Sequence, residues 1–409
     1  MPNAAKTANT NQKLFICLAV IIDSLGIGII MPVMPDLIAE LTNLTISKAA
    51  IWGGYLTFSY AVMQFCFSPL VGGISDRYGR RPVLLISLFV LAVDYLFMGL
   101  APTIWLLFIG RVIAGLGGAT FSTAFAYMAD ISSQQDRAKN FGLVGAAFGF
   151  GFIFGPILGG IAGEFGPRAP FFLAASISLA NFIYGWFILP ESLPKEKQRT
   201  LSLTRANPFG AFKQLSKLPD VRWLVIAFFL YELGSFVYPA IWSFYCKEAF
   251  KWSAFDIGMS LAFFGIMFTI AQGWLIRYML PAFGNAGTAL IGFSASIVGL
   301  TALAFITKGW MVYALMPLSG LSAVINPSLK AMMSNRIAED AQGELQGVLA
   351  SSSALTMILT PLIMTQLFSW FTGPQTPFYF PGSPFIMAAI FIALALPPFF
   401  KGRNVRPEE

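Results

Sequence analysis

Apolar residues run along this chain in stretches of twenty or more, parted by short polar breaks. A run of about 20 apolar residues crosses a hydrocarbon core as a helix. Twelve such runs are legible, at 14–35, 50–72, 82–101, 103–129, 139–163, 170–189, 222–247, 254–276, 286–306, 309–333, 345–370 and 379–400. They predict an all-α polytopic membrane protein, and are called spans one to twelve below. The longest polar stretch, 190–221, begins Pro190-Glu191-Ser192-Leu193-Pro194 and is rich in Lys and Arg. Within it Phe209, Phe212 and Leu215 sit at helical spacing beside Lys213 and Lys217, so this stretch reads either as a short surface helix or as a plain loop. It parts the chain into an N-terminal six-helix bundle (1–189), a linker (190–221) and a C-terminal six-helix bundle (222–409).

The two bundles repeat one another. A shift of 205 positions lays Gly79 on Gly284, Gly115-Leu116 on Gly320-Leu321, Gly142 on Gly347 and Pro156 on Pro361. At a shift of 208, Leu25-Gly26 meets Leu233-Gly234. Parallel repeats in a twelve-span chain imply two bundles related by a pseudo-twofold axis along the membrane normal. A substrate path lies between such bundles, opened to each side in turn by rocking.

Composition supports the membrane reading. The 409 residues are 56% hydrophobic and only 11% charged, against about 25% charged in a soluble domain. With no His at all, a Ser-His-Asp triad, a Cys-His dyad, a His-ligated haem and an HExxH zinc site are excluded. Cys17, Cys66 and Cys246 form no CxxC and read as small apolar packing residues. No cofactor, no metal and no enzymatic activity are expected. The net charge of +7 is explained by topology rather than by nucleic acid. Of the 26 Lys and Arg, 20 fall on the side holding both termini, 5 on the opposite side, and Arg111 within the membrane. Both termini are therefore expected in the cytoplasm. Lys6 and Lys13 before an apolar run resemble a signal peptide, but the run continues past twenty residues, carries Asp23 and lacks a small-residue cleavage site. It reads as a retained first span.

Ionisable groups deep in a bilayer are costly and mark function. Asp23, Asp94, Arg111 and Glu232 lie near the middle of spans one, three, four and seven. Three acids and one base leave at least one carboxylate without a buried cation, the arrangement a proton carrier needs. A purely structural acid–arginine pair is the plainer alternative for Arg111. Asp36, Asp130, Glu164 and Asp256 sit at span ends, where water-exposed caps explain them.

Two segments are too particular for topology alone. The turn between spans two and three reads Gly72-Gly73-Ile74-Ser75-Asp76-Arg77-Tyr78-Gly79-Arg80-Arg81-Pro82. Gly79 suits a tight turn, Asp76 suits a helix N-cap, and Arg77, Arg80 and Arg81 suit acids or headgroups. Only one half keeps these charges, since Pro281, Ala282, Asn285 and Ala286 stand at the repeat positions of Asp76, Arg77, Arg80 and Arg81. Span five carries Gly142, Gly151, Gly155-Pro156 and Gly159-Gly160, which thin and kink the helix. Its repeat partner holds Thr356 and Thr360 opposite Gly151 and Gly155.

The charged turn resembles the loop signature of the major facilitator superfamily, and span five resembles the antiporter motif of its drug/proton exchangers. Span one contains Asp23-Ser24-Leu25-Gly26-Ile27-Gly28, and span three Leu91-Ala92-Val93-Asp94-Tyr95. Arg111 on span four is followed by Gly115, Gly117 and Gly118. Together these resemble the tetracycline/proton antiporters, most tightly over 14–190. The resemblance implies a monomeric, proton-coupled efflux antiporter of an amphipathic organic compound, working by alternating access in the cell's inner membrane. Its partners would be a small-molecule substrate, protons and lipid. A proton symporter or uniporter for a nutrient or metabolite is the alternative. Span one is expected to face the path, which favours Asp23 over Asp94 as the partner of Arg111. The family's acid on span nine falls near Ser296 here, so Glu232, with no basic residue deep in its half, is expected to carry the proton there. Aromatics such as Tyr60 and Tyr238 are candidates for cavity lining.

Overall fold

The computed structural model describes residues 2–117, 120–198, 218–338, 341–374, 376 and 378–404. The surface helix considered around Phe209, Phe212 and Leu215, together with Gly118, lies outside the described residues. Within them all regular structure is helical. Eleven helices are long and apolar enough to cross a membrane.

The twelfth crossing is hidden in the longest of these, Ala254–Phe305, which has 52 residues. At 1.5 Å per residue such a helix would measure about 78 Å, more than twice the hydrocarbon thickness, so it crosses twice. The reversal is a single-residue break at Gly284, with φ 63 and ψ 177. Only glycine takes that conformation without steric cost. Spans eight and nine are thus both present, joined by almost no loop.

Prolines explain most other irregularities. Span seven is cut into Arg222–Ser235 and Val237–Phe250. Pro239 has no N–H to give to the Ser235 carbonyl, so the helix cannot run straight through. Span ten passes from Gly309–Gly320 through a 3₁₀ turn, Leu321–Val324, into Ile325–Ser334, with Pro317 on one side of the turn and Pro327 on the other. Span eight contains one π-helical turn, Ala271–Leu275. Span one stops at Ile30, and a separate helix, Met34–Thr42, follows it.

The chain condenses into two compact units. The first holds the described residues of Met1–Leu37, Ser59–Asn207 and Ser253–Ala262, and the second those of Ile38–Phe58, Pro208–Trp252 and Phe263–Glu409. The units therefore trade segments. The start of span eight packs in the first, where Gly258 lies on the Pro156 carbonyl. The first part of span two packs in the second, where a Cβ added to Gly54 would stand 3.1 Å from the Pro361 carbonyl oxygen. The core of the first unit joins Phe15, Ile16 and Val20 of span one to Leu84 and Leu88 of span three, Tyr127 of span four and Val144 of span five. In the second, Phe385 is ringed by Tyr245 and Trp242, at centroid distances of 4.7 and 6.2 Å.

Candidate functional site

Spans three (Arg80–Leu100) and four (starting Ile104–Gly117) form a tight hairpin. Asp94 and Arg111 stand at nearly equal distances from its turn and so at one depth. The Arg111 guanidinium donates through Nη2 to Asp94 Oδ2 in a buried ion pair, with the two side chains 12% and 2% exposed. Arg111 also lies over the Tyr60 ring, 5.5 Å from its centroid. The favoured partner from the sequence was Asp23, and the structure corrects this to Asp94. Hairpin geometry brings adjacent spans into register, whereas span one is a more distant neighbour of Arg111 in the chain.

Asp23 is left as a carboxylate with no ion pair among the described residues, and its charge acts through space on the Tyr60 and Tyr95 hydroxyls. Gly26, nearly one turn on, lies against the Tyr95 phenol. Gly115 lets span four close on span two, an added Cβ there lying 2.6 Å from the Tyr60 carbonyl oxygen. The ion pair is incompletely satisfied. Asp94 Oδ1 and Arg111 Nε are buried without a hydrogen-bond partner. Two vacant polar atoms on a buried pair are what a transported proton or a substrate hydroxyl can use.

The charged turn forms a second cluster. Asp76 pairs with Arg80 at 2.6 Å, and Arg80 Nε also reaches Asp130 at 3.1 Å. Asp76, which suits a helix N-cap, pairs here with Arg80, and the N-terminus of span three is capped by Glu191. That carboxylate accepts from Arg80 N at 2.8 Å and Arg81 N at 3.2 Å. Free N–H groups at a helix start attract an anion, and Asp76 is already committed to Arg80. Gly79 is required twice over, by its φ of 105 and because a Cβ would collide with the Glu191 carboxylate. Arg81 Nη2 donates to the Trp186 carbonyl at 2.8 Å, and Arg77 lies over its neighbour Tyr78 at 5.0 Å. Asp130 is correspondingly no plain cap, since it also accepts from Ser192 Oγ at 3.1 Å. Gly72 has open space beside it. Asp256 does act at a helix start, exchanging hydrogen bonds with Ser253.

Span five sits against span one. Added Cβ atoms at Gly151, Gly155 and Gly159 would strike the backbone around Ile21, Leu25 and Ile29. Pro156 meets Gly28, and Gly160 meets Phe255 at the start of span eight. A Cβ added at Gly142 would meet open space, so no close approach there requires a glycine.

In the second unit Glu232 accepts from Asn326 Nδ2 at 3.0 Å and from Ser353 Oγ at 3.1 Å. A cation does lie within a span of its half, one turn nearer the span's end than Asn326. Lys330 lies on the helix Ile325–Ser334 of span ten, and its charge acts on Glu232. Asn326, Lys330 and Ser353 escaped sequence reasoning, and so did the role of Glu191. The usable signal was Asn326-Pro327 followed by Lys330 inside an apolar run.

Comparisons with known proteins agree with this architecture. The model of the Major Facilitator Superfamily matches residues 16–315 and 234–409. The chain is 37% identical to the tetracycline resistance protein, class C, of Escherichia coli, over 96% of this chain and 98% of that protein. It is 38% identical to the class G protein of Vibrio anguillarum, over 92% and 94% respectively. The crystal structure of the human organic anion transporter MFSD10 (TETRAN) superposes with a TM-score of 0.69 at 21% identity, covering 96% of this chain and 99% of that one. This multi-pass membrane chain belongs to the Major Facilitator Superfamily, a family of transporters rather than enzymes.

Proposed function

We propose that the protein is a proton-coupled antiporter that expels an amphipathic organic compound of the tetracycline type. The observation that carries this reading is Asp23, a carboxylate without an ion pair among the described residues, which shares the neighbour Tyr60 with the incompletely satisfied Asp94–Arg111 pair. Arg111 stays charged whatever the substrate does, so protonation can change only on the acids. A proton arriving at Asp23 removes a negative charge near Tyr60 and Tyr95, and releases a substrate held there by hydrogen bonds. Deprotonation restores the binding form. Antiport follows because proton and substrate compete for one cluster. The relatives that bear the name tetracycline resistance protein along nearly the whole chain support this substrate class.

On this reading both termini lie in the cytoplasm, the membrane is the cell's inner membrane, and one chain suffices because each half supplies one bundle. The turn Gly72 to Arg81, held by Asp76, Arg80, Asp130 and Glu191, serves as a gating element. Gly142, Gly151, Gly155, Pro156, Gly159 and Gly160 form the antiporter segment. The experiment is tetracycline uptake into inverted membrane vesicles energised by a proton gradient. Uptake accompanied by proton efflux, and collapsed by a proton ionophore, is expected. Uptake indifferent to the ionophore would establish uniport instead. An Asp23→Asn variant is expected to lose gradient-driven uptake by about tenfold or more.

A further inference from the structure

Glu232 sits about ten residues into the helix that opens span seven, some 15 Å deep at 1.5 Å per residue. Each of its oxygens is held by a neutral donor from a different span: Oε1 by Asn326 of span ten and Oε2 by Ser353 of span eleven. Asn326 and Lys330, one turn apart on span ten, face Glu232 and Phe228, one turn apart on span seven. The Lys330 ammonium stands 5.8 Å from the Phe228 ring centroid. It acts on the carboxylate through space without forming an ion pair.

Among the described residues, the other groups packed around Glu232 bring no further charge. The Tyr231 hydroxyl donates to the Ser322 carbonyl at 3.1 Å. Tyr238 stacks among Trp242, Phe264 and Phe385. Span twelve presents Ala388 and Ile392 at Gly234.

Both helices that build the site are broken beside it. Span seven breaks at Phe236, within a turn of Glu232, and span ten passes through its 3₁₀ turn just before Asn326. Broken helices at mid-membrane free backbone groups and turn helix ends toward a buried ion or ligand, which is why such breaks attend coupling sites.

The donor set suits a carboxyl group that changes its protonation. Asn326 offers N–H to either form. A serine hydroxyl can donate to a carboxylate or accept from a carboxylic acid, so Ser353 serves both. A lysine in direct contact would fix the charged form, whereas one that forms no ion pair and lies over the Phe228 ring compensates the charge without excluding the proton.

We propose that Glu232, Asn326, Ser353 and Lys330 form a proton-exchange site of the second half. Asn326 and Ser353 position the carboxyl group, and Lys330 is the counter-charge that remains when the proton departs. In the step the Glu232 O–H bond breaks, its electron pair stays on the carboxylate, and water takes the proton. This inference deepens the proton-coupled reading and rests on it.

The test uses the full chain in proteoliposomes with tetracycline as the probe, comparing gradient-driven uptake with tetracycline exchange at zero gradient. Wild type must show gradient-driven uptake; if it does not, the proton-coupled reading itself falls. Given that uptake, Glu232→Gln is expected to reduce driven uptake about tenfold or more while exchange stays within about twofold of wild type. Exchange also reports that the variant has folded. Lys330→Gln is expected to lower driven uptake as well. Since Lys330 acts through Glu232, the double variant should be no worse than Glu232→Gln alone. Ser353→Ala should lose driven uptake and Ser353→Thr should restore it. The proposal is overturned if Glu232→Gln drives uptake at the wild-type rate. It is equally overturned if exchange falls along with driven uptake, which would make Glu232 a direct ligand of the substrate. Multiplying losses in the double variant would remove Lys330 from the site.

Discussion

Spans five and eleven hold equivalent places in the repeat and are fastened to their neighbours by different means. In span five Gly151, Gly155 and Gly159 bring the helix onto the backbone of span one, an added Cβ at Gly155 lying 2.7 Å from the Leu25 carbonyl oxygen. The repeat positions in span eleven are Thr356, Thr360 and Met364, all fully buried. There the Thr360 hydroxyl donates to the Leu233 carbonyl at 3.3 Å, and Leu233 is the repeat partner of Leu25. One seam is closed by backbone contact over several turns, the other by side chains and by hydrogen bonds from Thr360 and Ser353. Membrane helices gain nothing from burying apolar surface against one another, so close packing and interhelical hydrogen bonds are the available adhesives. The second seam keeps room for polar side chains, and that is where Glu232 finds Ser353.

The contrast is breakable by substitution, read as thermal unfolding in detergent together with driven uptake. Gly159→Leu is expected to be the most damaging, because its side chain would enter the Ile29 backbone, at a cost above about 3 kcal/mol. Loss of folded protein from the membrane is the expected outcome. Gly155→Ala adds one methyl at the same seam and should cost about 1–3 kcal/mol, lowering the unfolding temperature and the uptake. Thr360→Val removes only the hydrogen bond to Leu233, worth about 0.6 kcal/mol between membrane helices, so a small shift is expected. Gly142→Ala meets open space and gains helix propensity of up to about 1 kcal/mol. It should leave the unfolding temperature unchanged or slightly raised. If Thr360→Val were to hurt more than Gly155→Ala, the division of labour between the two seams would be reversed.

Much of the fold was legible because a bilayer imposes run length. The spans, the repeat and the charge bias are one-dimensional properties of the chain. What stayed hidden depends on angular position or on a single residue. The run lengths part spans eight and nine at 277–285, but that a single residue makes the reversal shows only in the φ of Gly284. Asp23 and Asp94 lie at similar depth, so depth alone could not choose between them; the hairpin chose. The glycines of span five were legible as a motif, but which of them touch span one required coordinates, and a Cβ at Gly142 proved to meet open space. Glu191 looked like the start of a linker because its partners, Arg80 and Arg81, are more than a hundred residues away in the chain.

The break at Gly284 also bears on how the protein is made. Spans eight and nine leave the ribosome as one apolar stretch with no polar loop to stall on. They are therefore bound to enter the bilayer together, as a closed hairpin. Arg277 is the one basic residue beside that bend, so it alone supplies the local share of the charge bias that orients the pair. Arg277→Gln is expected to leave the mature fold's contacts almost untouched, since the side chain is exposed, and to act, if anywhere, on the yield of inserted protein.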